Sequence, residues 1–298
     1  MQLNIFDDSR DVMLRNDVVS ALERCDAPAA RAALNRFMEE YPSDETLAPL
    51  GILNAAVAKR GGALFADHEA LRAAEAELSD HVEPTARRMF GAKSGAAWLN
   101  GAWRELARRS ARLAFREGER ELHAAPLWLR GGDWEAADRA ATAIASWRRI
   151  PAPLAWVIEA RHRRQGLEAV WPLLCELAWM SPDCFGRLLG RLADSALTRL
   201  RKDFDAGFEA EGTSADLACD LACDLAWFPA WVLADKPRLA PLLRQAMAGQ
   251  DSAPERGMRL LLQLTGLGKQ GRQADIVERR QALQALQPSL YGAYLRKL

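Results

Sequence analysis

Gly132-Asp133-Trp134-Glu135-Ala136-Ala137, running on to Ala141 and Ile144, is the stretch that decides the fold. Two glycines break the chain, and Asp133 stands where a helix would be capped. Apolar and small residues then return at the three- and four-residue spacing of a helix face. Outward from it the same grammar repeats. Asp-Ala-Pro at 26–28, Tyr-Pro-Ser-Asp at 41–44, Gly61-Gly62, Arg-Ile-Pro at 149–151, Ser-Pro-Asp at 181–183, Asp251-Ser252 and Gln287-Pro288 are further breaks and caps. The intervals suit helices of about ten to sixteen residues. Alternating β-branched and aromatic runs are missing, so the chain reads as all-α.

The breaks keep a register. Small residues at Cys25-Asp26 are followed by Ala30, Leu34, Phe37 and Pro42, and Gln165-Gly166 by Val170, Leu174, Leu177 and Pro182 at equal offsets. Leu154, Val157 and Ile158 supply the helix before the second of these, and Gly271, Ile276, Leu283 and Pro288 give a weaker match. This pattern resembles the tetratricopeptide repeat, a helix pair of about 34 residues. Pro42 to Pro182 spans 140 residues and Pro182 to Pro288 spans 106, near four and three such units. The family's first-helix pattern of Trp, Leu-Gly and Tyr is absent or eroded, and residues 60–120 do not align without insertions. The resemblance implies antiparallel helix pairs stacked as a right-handed solenoid across a single domain, 1–298. Regular pairs are expected at about 12–60 and 121–182, an irregular section at 60–120, and further helices with a C-terminal cap at 183–298, closing on Leu290, Tyr291, Tyr294 and Leu295.

Composition narrows function less than fold. Forty Lys and Arg balance forty Asp and Glu, so no global field favours nucleic acid or an anionic membrane. The first residues lack a secretory pattern, and the apolar run 217–234 carries Asp220 and Asp224, so a cytoplasmic protein with no membrane span is expected. Five cysteines and four scattered histidines, without an H-E-x-x-H pattern, give no disulfide framework and no metal signature. Gly91-Ala92-Lys93-Ser94-Gly95 lacks the order of a phosphate loop. No catalytic residue, cofactor or metal is assigned.

Two stretches suggest partners. Arg104, Arg108, Arg112, Arg116 and Arg120, joined by Arg109, fall at four-residue steps and would form a slanting ribbon on a helix. Residues 104–164 hold 13 Arg against 8 Asp plus Glu, whereas 1–84 hold 16 acidic and 8 basic residues. Such a ribbon, with Trp98 and Trp103 as aromatic anchors, suits a carboxylate-rich peptide or phosphate groups. It equally suits a solvated face paired with Glu105, Glu117, Glu119 and Glu121, or docked on the acidic N-terminal region. Gln2-Leu3-Asn4-Ile5-Phe6 resembles the short peptides by which bacterial replication and repair proteins bind the sliding clamp, with Gln2, Leu3, Ile5 and Phe6 as the contact positions. The plainer reading has Leu3, Ile5 and Phe6 tie the terminus onto the first helices.

Elsewhere, 216–227 repeats every four residues, placing Asp216, Asp220 and Asp224 beside Cys219 and Cys223 on a helix; a cysteine stripe facing the core explains it. Most of the ten tryptophans are expected to pack between helices. A non-catalytic scaffold that binds a protein or peptide is therefore the leading expectation. A nucleic-acid-associated protein is the second, and an enzyme with a site assembled across helices the third.

Overall fold

The computed structural model describes residues 10–208, 225–247, 249, 251–268 and 273–297, and every regular element among them is helical. The clamp-like peptide at 2–6 and most of the 216–227 repetition lie outside these residues. No described helix is long and apolar enough to cross a membrane. Tertiary contacts gather the chain into two compact units, Met1–Ala140 and Ala141–Leu298.

The first unit opens with α1 (Arg10–Glu23) and α2 (Ala27–Glu40), an antiparallel hairpin turning at Cys25-Asp26. Asp26 caps α2 by accepting from Ala29 N at 3.0 Å, and of the register positions Ala30, Leu34 and Phe37 the first and last are wholly buried and Leu34 is half-buried. Filling that interface with a Phe side chain contributes about 2 kcal/mol of apolar transfer. Next, α3 (Leu47–Ala58) packs across both helices, with Leu50 and Leu53 fully buried.

Irregularity begins where the register fails. After α4 (His68–Glu77), one π turn at Leu78–Val82 leads into α5 (Glu83–Arg109), which bends at Gly91. Gly91 has φ +76° and ψ 173°, a conformation open almost only to glycine. The bend folds the two legs together so closely that a Cβ on Gly95 would stand 2.9 Å from the Ala86 carbonyl oxygen. The glycines that mimic a phosphate loop are therefore a helix break and a close approach. Trp98 fixes the second leg to the first hairpin by donating Nε1–H to the Leu22 carbonyl at 2.9 Å. Then α6 (Ala124–Arg130) packs on α5, and α7 (Trp134–Thr142) follows the turn at 131–133, where Asp133 accepts from Ala136 N at 3.0 Å.

The second unit also begins with a pair of helices. α8 (Pro151–Gln165) and α9 (Trp171–Met180) turn at Gly166, and Val170, Leu174 and Leu177 are fully buried. α10 (Pro182–Leu192) packs on both. There follow α11 (Ser195–Gly207), α12 (Phe228–Asp235), a single turn α13 (Ala240–Leu243), the pair α14 (Ala253–Gly268) and α15 (Gln273–Leu286), and a terminal α16 (Pro288–Leu295). Pro229 lies in the first turn of α12, where a missing N–H costs nothing. An aromatic group formed by Phe185, Phe204, Phe228 and Trp231 ties α10, α11 and α12 together.

Candidate functional site

The arginines expected to form a ribbon do not share one helix. α5 stops at Arg109 because Ser110, itself fully buried, turns its hydroxyl back to the Ala107 carbonyl at 2.9 Å. Phe65 N–H then donates to the Arg109 carbonyl at 2.9 Å. Residues 110–116 run on as turn and coil, so Arg112 and Arg116 leave the helix face, and Arg116 and Arg120 pair with Glu119 and Glu121. Arg104 Nε donates to the Gly131 carbonyl at 2.7 Å, Arg108 holds Glu105 and the Gly62 carbonyl, and Arg109 Nε donates to the Ala63 carbonyl at 2.9 Å. The Arg109 guanidinium also lies 4.1 Å from the Phe65 ring centre. Arg130 reaches Glu75 in the acidic N-terminal region.

Trp98 and Trp103, expected as anchors, are 6% and 3% exposed. Their rings are covered by Arg60 and Arg130, the latter 3.4 Å from the ring centre. The arginine and tryptophan content of this section thus builds its interior and binds its loops.

The second unit holds a different constellation, which the sequence reading did not single out. A cavity of about 380 Å³ is bounded by the turn at 147–149, the end of α9 and the segment leading into α14. At its base is Glu176, a carboxylate only 6% exposed. Arg148 grips it with two parallel bonds, Nε to Oε2 and Nη2 to Oε1, both 2.6 Å, and Met247 N–H donates to Oε1 at 2.8 Å. Bonding to that carboxylate raises the Arg148 pKa still further above its usual range. Trp179 and Met180 lie three and four residues beyond Glu176, so α9 presents all three on one side.

Opposite stands the start of α14. Ser252, Ala253, Pro254 and Glu255 spell a capping box, in which the serine hydroxyl would cap the helix and the glutamate would reach back to the serine amide. The Ser252 carbonyl does accept the first helical bond, from Arg256 N at 2.9 Å. Glu255, however, reaches farther, accepting from Asp251 N and Gly249 N, each at 2.9 Å, with Arg259 as its counter-ion. The Ser252 hydroxyl is buried without a partner, and so is the Trp179 indole N–H. Both residues line the cavity.

Ser146 and Asp251, close in sequence to the lining residues Arg148 and Ser252, have left-handed backbones with φ +57° and +55°. Non-glycine residues adopt this region at a cost, so surrounding packing holds both turns. Arg149 and Met247, 52% exposed, complete the wall. A larger cleft of about 510 Å³ lies along α14 and α15, near Arg244 and Arg279, but among the described residues no unpaired buried polar atom belongs to its lining.

Other titratable groups look structural. Burial pushes the Cys175 thiol well up, which disfavours a thiolate nucleophile. His162 Nε2 meets Asp194 Oδ2 at 3.0 Å; burial opposes ionisation of Asp194, yet the Leu197 and Ala196 amides and His162 together hold its carboxyl below the usual range. Asp194 is at the same time the cap of α11. Among the described residues no three His, Cys, Asp or Glu side chains are grouped to hold a metal ion.

The chain matches no protein-family model, and no curated protein or solved structure shows significant similarity to it.

Proposed function

We propose that this protein is a non-catalytic helical-repeat scaffold that binds a protein or peptide partner, with the Arg148–Glu176 cavity of the second unit as its capture site. The cavity's desolvated donors carry the reading. Trp179 and Ser252 line it, and Trp179 Nε1 and Ser252 Oγ are buried without a protein partner, as are a few polar atoms elsewhere; among the described residues only these two belong to residues that line a cavity, so a ligand that reaches them gains two desolvated groups. The repeat reading is supported by α3 packing across α1 and α2, and α10 across α8 and α9, since stacked helix pairs bury their faces in that order. A solenoid of tetratricopeptide type and a cytoplasmic setting complete the proposal.

Peptides selected from a random library on the intact protein should bind it and lose about tenfold in affinity on Met247→Glu, which alters an exposed wall residue. A selection that enriches nothing, or peptides that bind both proteins equally, would refute it. Nothing in the placement of Arg104, Arg108, Arg109, Arg112 and Arg116 favours a nucleic-acid partner over this reading, because all but Arg112 hold intramolecular contacts.

A further inference from the structure

We infer that the cavity recognises a carboxylate carried on an apolar body, of the kind presented by the C-terminal residue of a peptide chain. The inference rests on the reading of this cavity as a capture site and names what it captures.

The polar groups around it make the selection. Its one lining carboxylate, Glu176, already accepts three hydrogen bonds, with Oε1 taking Arg148 Nη2 and Met247 N and Oε2 taking Arg148 Nε. It therefore offers little to a ligand donor. What remains is nearly all donating: the Trp179 indole N–H, the Ser252 hydroxyl and the Arg149 guanidinium, with Arg148 beside them, whose Nε and Nη2 are held by Glu176. An indole N–H and a guanidinium can only donate. Two arginines against one glutamate leave a formal charge of plus one among the lining residues. A ligand that satisfies these groups must bring acceptor oxygens and negative charge.

Glu176 has a second role in this arrangement. By holding Arg148 Nε and Nη2 in a bidentate fork it fixes the plane of the guanidinium, so the remaining edge is oriented before a ligand arrives. The rest of the wall is apolar: Met180, Met247 and the Trp179 ring. A fully hydrated inorganic anion would gain nothing from that surface, whereas a carboxylate beside an aliphatic side chain uses both halves. About 380 Å³ is at the lower end of the range for ligand cavities and accommodates one or two residues of a peptide. Trp179 Nε1 and Ser252 Oγ are closed to water, so entry requires the wall to yield. The two methionines are the unbranched side chains that can do so.

N-acetyl-leucine and its uncharged amide, N-acetyl-leucinamide, provide the direct test on the full chain. In a nitrogen–proton correlation spectrum the Trp179 indole signal is identified by its loss in Trp179→Phe. N-acetyl-leucine should move that signal as the N–H gains an acceptor, and the amide should bind at least about tenfold more weakly, the cost of losing a charged hydrogen-bond partner. Arg149→Gln should weaken the acid and leave the amide unchanged. Equal effects of acid and amide, or no movement with either, overturn the inference.

The source of the carboxylate is a separate arm. Library-selected peptides that lose binding on amidation of their C terminus identify a chain end. Binding of N-acetyl-leucine with no peptide enriched leaves the carboxylate chemistry standing and removes the scaffold reading. Peptides that bind at the cavity regardless of amidation, with N-acetyl-leucine inert, do the reverse.

Discussion

His123 shows how one buried side chain couples this fold to pH. It caps α6 through Nδ1, which accepts from Ala125 N at 3.2 Å, and it is 8% exposed. Burial, aided by the nearby His68, lowers its pKa from 6.5 to about 4. A base whose folded pKa lies below its unfolded value binds more protons when unfolded, so the stability tied to it is complete above pH 6.5 and is lost as pH falls towards 4. The shift corresponds to about 3 kcal/mol. Urea unfolding at a series of pH values should show that loss in the wild type, and His123→Asn, which retains a capping acceptor, should flatten it. An unchanged slope in the variant would assign the pH dependence elsewhere. Neither the neutrality of His123 nor the pairing of Arg148 with Glu176 was legible in the sequence, because burial and a partner 28 residues away set both.

At the scale of the element, α14 separates what a motif predicts from what its packing does. The Ser252-x-x-Glu255 pattern would assign about 1 kcal/mol to the serine hydroxyl. In the structure that hydroxyl makes no capping bond, while Glu255 ties Gly249, Asp251 and Arg259 together at zero exposure. Ser252→Ala should therefore change stability by less than about 0.5 kcal/mol, and Glu255→Ala should cost about 2 kcal/mol or more, since it removes a buried carboxylate together with its charge-assisted bonds to Gly249, Asp251 and Arg259. Thermal unfolding of the two variants checks this, and comparable losses in both would restore the ordinary capping box. α5 shows the same limit. Four-residue spacing continues from Arg104 to Arg120, but the helix ends at Arg109, where the buried Ser110 and the docking of Phe65 on the last carbonyl outweigh local propensity.

Over the whole molecule, forty basic and forty acidic residues cancel, and the isoelectric point is about 6.9. With no net charge to keep copies apart, the protein should self-associate most strongly near neutral pH and less on either side. Light scattering across pH 5 to 9 measures this, and repulsion that peaks near pH 7 would contradict it. By itself the sequence determined the helical class, the turns at Cys25-Asp26, at 131–133 and at Gly166, and the buried positions Ala30, Phe37, Val170, Leu174 and Leu177. Those features follow from local periodicity and capping, which act over a few residues. Only the tertiary structure decided that the arginines brace loops, that Trp98 and Trp103 are interior, and that Arg148, Glu176, Trp179 and Ser252 meet at one cavity. That meeting joins a turn, a helix end and a distant helix start, and it is set by packing between elements that no local pattern records.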